Sequence, residues 1–224
     1  MIKEKSKGLL IVVSGPSGAG KDTICNKVVE NLKDTKISIS MTSREPRGKE
    51  VDGVDYYFVS KEEFEKRIEK DEFLEYAVVH NNKYYGTPKG KIEEDINKGK
   101  NIILVIDIQG ALKIKEKVKE ALFIFIMPPS MEELKERLIK RNTETKDKIL
   151  ERFKTAYNEI NEFTKYNYVV VNDRVEKAVD KVKSIIIAEK CRVDRIEEIY
   201  LNTKEEFIHE GLIEEEFKNK KLEI

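Results

Sequence analysis

The chain has 224 residues, and its 43 Lys plus Arg balance 43 Asp plus Glu to a formal net charge of zero. That balance gives no global field to draw in nucleic acid or an anionic membrane, although a local anion site stays open. At roughly 150 residues per domain the length fits one large domain or a core with a subdomain, and a hydrophobic fraction of 39%, gathered in blocks, excludes a disordered composition.

Gly8 to Ser14 is a short, continuous apolar run, the pattern of a strand buried on both faces. Residues 15–20 form a glycine-rich turn. Lys21 to Leu32 then reads as a helix, with Ile24, Val28, Val29 and Leu32 on one face. Ile37 to Thr42 reads as a second strand, Ser43 to Asp55 as an exposed loop and Tyr56 to Val59 as a short strand. Ser60 caps a helix, with Glu63 completing a capping box. Phe73 to Val79 is a strand, and Pro88 opens a helix at its first turn. Asn101 to Asp107 and Ala121 to Met127 are buried strands.

Ser130 and Glu133 form a second capping box, and the polar segment Asn142 to Asp147 leads to a further helix reaching Phe163. Tyr168 to Val171 is a last strand, Val175 to Ala188 a last core helix, and the chain from Arg195 a charge-dense helical tail. Strands alternating with helices predict an α/β fold with a parallel sheet and right-handed crossovers, interrupted by a small inserted domain over residues 40–90. Cys25 and Cys191 cannot form a disulfide framework and read as buried thiols in a reducing compartment. The N-terminal apolar run is too short for a signal peptide, and no run is long enough for a membrane span, so a soluble cytoplasmic protein is expected.

Chemistry first shows at Gly15-Pro16-Ser17-Gly18-Ala19-Gly20-Lys21, between a buried strand and a helix. Glycines let backbone N–H groups approach a polyphosphate, the helix N-terminus adds its dipole, and Lys21 adds a point charge. The residue after the lysine is Asp22, followed by Thr23, where such loops place a hydroxyl for Mg²⁺. Either Mg²⁺ sits between Asp22 and the phosphates, or Asp22 points away and Thr23 supplies the hydroxyl. Asp107, at the end of its strand, is either a turn former or the acid that orients the metal. Arg44 and Arg47, three apart in a loop with tyrosines nearby, can fork a phosphate. A buried Glu beside a Thr hydroxyl can accept the N1–H and N2–H₂ of guanine. The two histidines, His80 and His209, read as a polar loop residue and a tail residue.

In chain order behind GPSGAGKDT come TSREPR, EVDGVDYYFVS, FLEYA, YYGTP, IDIQGA, PPSMEELKERLIKRNTET and VVVNDR. Over roughly residues 8–190 this series resembles the guanylate kinase family. The resemblance implies a P-loop nucleoside monophosphate kinase fold: a parallel five-stranded sheet flanked by helices, with an inserted GMP-binding α+β subdomain and a lid. The core would comprise residues 1–39, 88–129 and 156–194, the GMP-binding subdomain 40–87, the lid 130–155 and a helical C-terminal extension 195–224. It implies ATP-dependent phosphorylation of GMP, and of dGMP, with Mg²⁺.

The resemblance assigns the GMP phosphate to Arg44, Arg47, Tyr56 and Tyr85, with Glu50 in support, and guanine to Ser40, Glu75 and Thr87. Lys21 and the lid arginines Arg137, Arg141 and Arg152 would neutralise the transferring group. Gly15 to Thr23 would hold ATP, with Asn172 near the adenine; Asp107 would serve GMP, and with Asp22 and Thr23 the metal. The acceptor is already anionic, so no general base is needed. No nucleic acid or membrane partner is implied, and a homo-oligomer stays open.

The chain departs from the family pattern at Asp22, at Val105 (usually an acid), at Gly48 (usually just before the glutamate) and in one extra residue between Glu75 and Tyr85. A ribose 1,5-bisphosphate phosphokinase shares GPSGxGKD but not the guanine-reading set. A non-catalytic guanylate-kinase-like phosphopeptide module shares the fold but generally lacks the phosphate loop.

Overall fold

The computed structural model describes residues 7–79, 82–140, 146–195 and 211. His80, Arg141, His209 and nearly all of the tail beyond Arg195 lie outside them. The chain divides into two compact units, one from Lys7 to Ser184 and one that takes in the chain from Ile185. In order, the elements are β1 (Leu10–Ser14), α1 (Lys21–Asn31), β2 (Thr35–Ile37), β3 (Met41–Thr42), β4 (Tyr57–Phe58), α2 (Lys61–Glu69), β5 (Phe73–Val79) and β6 (Lys83–Pro88). There follow α3 (Lys89–Asn97), β7 (Asn101–Val105), α4 (Ile108–Lys117), β8 (Leu122–Met127), α5 (Met131–Lys140), α6 (Lys146–Ile160), a 3-10 turn, β9 (Tyr168–Val171) and α7 (Val175–Lys190).

The first unit is built on a parallel sheet of order β2-β7-β1-β8-β9. β1 lies at its centre, with Val12 opposite Leu104 on one side and Phe123 on the other. All five β1 residues are buried, which is why its sequence is a continuous apolar run rather than an alternating one. In α1, Ile24, Cys25 and Val28 are buried, giving the helix the apolar face read from its spacing.

A second, mixed sheet of order β4-β3-β6-β5 packs with α2 around Met41, Phe64 and Phe73, and Phe64 stacks on Phe73 at 4.4 Å between centroids. α5 and α6 join through Leu134, Leu138 and Ala156. In the second unit, the buried Glu189 pairs with Arg192 and Arg195.

Several expectations are corrected. The run Ile37 to Thr42 is not one strand: Ile37 ends β2 in the parallel sheet, while Met41 and Thr42 belong to the other sheet. Its alternation suits either sheet, and partners rather than periodicity divide it. β6, unread in the sequence, pairs antiparallel with β5, and Pro88 is both its last residue and the N-cap of α3. α4 was also unread. Its N-cap is Asp107, whose Oδ1 accepts the Gly110 N–H at 2.7 Å, and it buries Ile108, Ala111 and Ile114.

Asp147 already lies within α6. Cys191 is exposed rather than buried. Cys25 is buried, and burial, reinforced by Asp22 and opposed by Lys21, pushes its thiol up to about 12.

Both capping boxes form by half. Ser60 and Ser130 accept the N–H of Glu63 and Glu133, each at 3.1 Å, but those two carboxylates reach forward to Arg67 and Arg137.

Candidate active site

The glycine-rich loop sits at the carboxyl end of β1, where open parallel sheets place their ligands. Gly20 caps α1 at φ +92°, and a Cβ there would lie 2.5 Å from Asn172 Nδ2, so both conformation and space require glycine. The Lys21 ammonium folds back over its own loop and donates to the carbonyls of Gly15 (2.7 Å) and Pro16 (3.1 Å). Asp22 and Thr23 are exposed on the first turn of α1.

Asn172 is buried beneath the loop. Its Nδ2 donates to the Ala19 carbonyl at 2.8 Å, and its Oδ1 is buried without a hydrogen-bond partner. Its own carbonyl accepts from Arg137 Nη2 at 2.9 Å, and the same guanidinium pairs with Glu133. From α6, Arg152 Nη2 donates to the Ser17 hydroxyl at 2.6 Å. Arg152 therefore reaches the loop directly, Arg137 reaches it only through Asn172, and Arg141 lies outside the described residues.

The arginine clamp is built from side chains. Arg44, 7% exposed, forks Glu50 at 2.6 and 2.7 Å, donates Nη1 to the Glu45 carbonyl and donates Nε to the Tyr85 hydroxyl at 2.9 Å. Its guanidinium also lies 5.0 Å from the centroid of Tyr56, which meets Tyr85 edge-on at 5.9 Å. Four of its five N–H donors are thus engaged within the chain. Since Tyr85 accepts from Arg44, its own O–H proton points elsewhere and can donate to an anion.

The Arg44 fork, followed by the Arg47 N–H at 2.7 Å, holds the Glu50 carboxyl down at about 2. The same contact raises the Arg44 guanidinium further above its ordinary value. The displaced glycine of this loop is accommodated. Gly48 turns at φ +56°, the Glu50 N–H returns to the Arg47 carbonyl at 3.0 Å, and Glu50 still reaches Arg44.

Glu75 and Thr87 lie directly opposite one another on β5 and β6, and the Thr87 hydroxyl donates to Glu75 Oε1 at 2.7 Å. Both are buried. Burial raises the Glu75 carboxyl, the Thr87 bond opposes this, and Asp107 adds to it. A Cβ on Gly110 would lie 3.3 Å from Glu75 Oε2 and 3.4 Å from Asp107 Oδ1, so the two carboxylates flank the first turn of α4. Ser40 is half-buried on the strand side of this sheet, where its carbonyl accepts the Tyr57 N–H at 2.9 Å. Tyr56 and Arg47 border the clamp, the side chain of Arg47 being exposed.

Asp107 also stands toward the phosphate loop. It raises Glu159 of α6, whose carboxyl is lifted first by burial and held back by Lys21 and the Ser17 N–H. β1 and β7 are neighbours with Val13 opposite Val105, so the loop after β1 and the acid after β7 emerge side by side.

Sequence reasoning missed Glu159, Phe58 (5.6 Å from Arg44 Cζ) and Tyr166. Burial raises the Tyr166 phenol to about 12, and the neighbouring Ser14 hydroxyl opposes the shift. The available signal for Glu159 was its spacing of seven from Arg152, which puts both on one face of a helix.

A glycine-rich loop at the carboxyl edge of a parallel sheet, opening a helix whose first residue is lysine, places the chain in the phosphate-loop kinase class. The guanylate kinase family model matches residues 7–189. The chain is 60% identical to the guanylate kinase of Clostridium tetani over 206 residues, 92% of this chain and 98% of that one. It is 59% identical over 211 residues to the guanylate kinase of Clostridium perfringens strain 13, covering 94% and 97%. The crystal structure of guanylate kinase from Anaplasma phagocytophilum superposes with a TM-score of 0.68 at 37% identity, covering 85% of this chain and 90% of that one. The chain belongs to the guanylate kinase family.

Proposed function

We propose that the protein transfers the γ-phosphoryl group of ATP to GMP, giving ADP and GDP. One observation carries the reading: Asp107 follows β7 beside the strand that leads into the Lys21 loop, and it shares the first turn of α4 with Glu75 of the buried Glu75–Thr87 pair. The two oxygens of the Glu75 carboxylate accept from guanine N1–H and N2–H₂, which adenine does not present. Ser40 and Thr87 complete the base pocket. The Tyr85 and Tyr56 hydroxyls, the remaining Arg44 donor and Arg47 grip the monophosphate. Arg44 is as much scaffold as ligand, because Glu50 holds it while it orients Tyr85.

On the donor side, loop N–H groups and Lys21 hold the triphosphate, Asn172 supports the loop from beneath and toward the adenine, and Arg137, Arg141 and Arg152 neutralise the transferring group. The unit formed by residues 40–87 supplies the acceptor site, and 130–155 the lid that excludes water. The assigned residues read base and phosphate rather than ribose, so dGMP is included as acceptor.

The donor set fits Mg²⁺. Among the described residues no three acidic, histidine or cysteine side chains converge as a metal cage. Such a cage is not what Mg²⁺ needs beside a triphosphate, where phosphates and waters supply most ligands. Asp22, Thr23 and Asp107 would hold it, and it would shield the phosphate charge. Titrating Mg²⁺ against wild type and Asp22→Ser tests this role of Asp22, since identical metal dependence would remove it.

Among the described residues no helix is long and apolar enough to cross a membrane. Free thiols at Cys25 and Cys191 fit the cytoplasm. Coupled ADP release across GMP, dGMP, AMP, CMP and UMP tests the whole reading. GMP and dGMP turn over well above the other three, and equal rates on AMP would overturn guanine recognition by Glu75.

A further inference from the structure

Glu75 directly follows an irregularity in its strand. β5 is the edge strand of the mixed sheet, and from Phe73 to Glu75 it advances two residues while β6 steps only from Pro88 to Thr87. Leu74 is therefore the extra residue of a β-bulge. A bulge re-aims the side chains beside it and leaves the extra residue outside the ladder. The Leu74 side chain is anchored in the core with Ala111 and Ile114 of α4.

The same helix also reaches the strand backbone. Lys117 Nζ donates to the Leu74 carbonyl and Lys113 Nζ to the Tyr76 carbonyl, each at 3.3 Å. These are the carbonyls on either side of Glu75. Gly110, Lys113 and Lys117 succeed one another at intervals of three and four residues, along a single face of α4. At the head of that face a Cβ on Gly110 would lie 3.3 Å from Glu75 Oε2, so its absence leaves the carboxyl room. Four residues of helix rise about 6 Å and two residues of strand about 6.8 Å. The two ammoniums thus match the repeat of the two carbonyls. Burial raises the Glu75 carboxyl, and both ammoniums act against that rise.

We propose that Lys113 and Lys117 are positioning residues for Glu75. By fastening the Leu74 and Tyr76 carbonyls to α4 they fix the bulge, and with it the direction in which Glu75 presents its carboxylate to the acceptor base. The proposal rests on the reading of Glu75 as the residue that accepts from guanine. The base does not react, so its contacts are the same before and during transfer. A device that aims Glu75 therefore acts on the GMP KM and leaves kcat alone.

The test is steady-state kinetics on the full chain, with thermal midpoints measured alongside to show that each variant folds. Methionine keeps most of the lysine stem and removes the donor. The double variant Lys113→Met, Lys117→Met raises the GMP KM about tenfold, the combined worth of two hydrogen bonds, with kcat and the ATP KM within about twofold. Each single Met variant raises it about threefold. The double variant Lys113→Arg, Lys117→Arg, which keeps a cationic donor at both places, stays within about twofold of wild type. In a Glu75→Gln background the two Met substitutions together add less than about twofold, because the aimed carboxylate is already gone.

An unchanged GMP KM in all three Met variants, beside a Glu75→Gln that is impaired on GMP, would overturn the positioning role and leave the reading of Glu75 intact. So would an equal rise in the ATP KM, a loss in the Arg variant as large as in the Met variant, or a full tenfold loss added to Glu75→Gln. A wild-type kcat/KM for GMP in Glu75→Gln would overturn the positioning role together with the reading beneath it.

Discussion

The proposed donor and acceptor sides of the site are built by opposite constructions. The donor cradle is mostly backbone: a loop whose shape is fixed by glycines and by side chains pressing on it from α5, α6 and the end of β9. The acceptor side is mostly side chain, and its charged groups already have partners within the chain, Arg44 the Glu50 carboxylate and Glu75 the Thr87 hydroxyl. A backbone nest costs little to leave waiting, since N–H groups carry only partial charge. A buried arginine or glutamate must be partnered to be tolerated at all. The acceptor residues therefore arrive with internal partners, and the substrate joins these pairs rather than meeting bare charges.

This contrast can be broken first at Arg152. Replacement by Met is expected to lower kcat about 10³-fold, the low end for an arginine at a transferring phosphoryl group, while the GMP KM stays within a few-fold. Parallel titrations of both substrates check it, and an equal rise in the GMP KM would erase the division between the two sides.

Next is Glu75→Gln. An amide cannot accept from both guanine N–H groups, so kcat/KM for GMP drops about 10²-fold, the scale of lost charged hydrogen bonds, while ATP binding measured without GMP is unchanged. Arg44→Lys comes third. A lysine cannot fork Glu50 and hold Tyr85 together, and the GMP KM rises about tenfold with little change in kcat.

Acid titration separates the two acceptor carboxylates. Glu75 is raised above its ordinary 4.5, so its proton returns first and kcat/KM for GMP falls on the acid side with a midpoint above 4.5. In that window the folded state binds the proton more readily than the unfolded one, so Glu75 favours folding more as the pH falls. Glu50, held at about 2, has the opposite sign. Its contribution to stability is complete above 4.5 and is lost as the pH falls toward 2. A pH–rate profile read beside a pH–stability profile checks both directions.

The smallest effect is on the donor backbone. Gly20→Ala at φ +92° against Asn172 destabilises the fold by about 1–3 kcal/mol, the usual cost of a non-glycine residue in such backbone. Denaturant unfolding measures it.

How far the sequence could be read follows the same division. The cradle was legible because its chemistry is local: seven consecutive residues between a strand and a helix state the turn, the glycines and the lysine. The family motifs carried the acceptor residues by resemblance, yet no spacing in the chain says that Glu50 forks Arg44 rather than the reverse face of its loop. α4 is hard to read in the sequence although Asp107 followed by Ile108, Ala111 and Ile114 is a capped apolar face, because its apolar residues follow directly on those of β7. β6 escaped because YYGT reads as a loop until β5 is set beside it.

What the amino-acid order determined by itself is the set of short-range geometries: the apolar strand segments, the N-caps at Ser60 and Ser130, and the phosphate turn. Tertiary structure alone decided the division of residues 37–42 between two sheets, the register that puts Glu75 opposite Thr87, and the reach of Arg152 to Ser17. Helix caps and turn conformations are settled among neighbours a few residues apart. Charge pairing across 12 to 135 residues depends on which surfaces the packed core brings together.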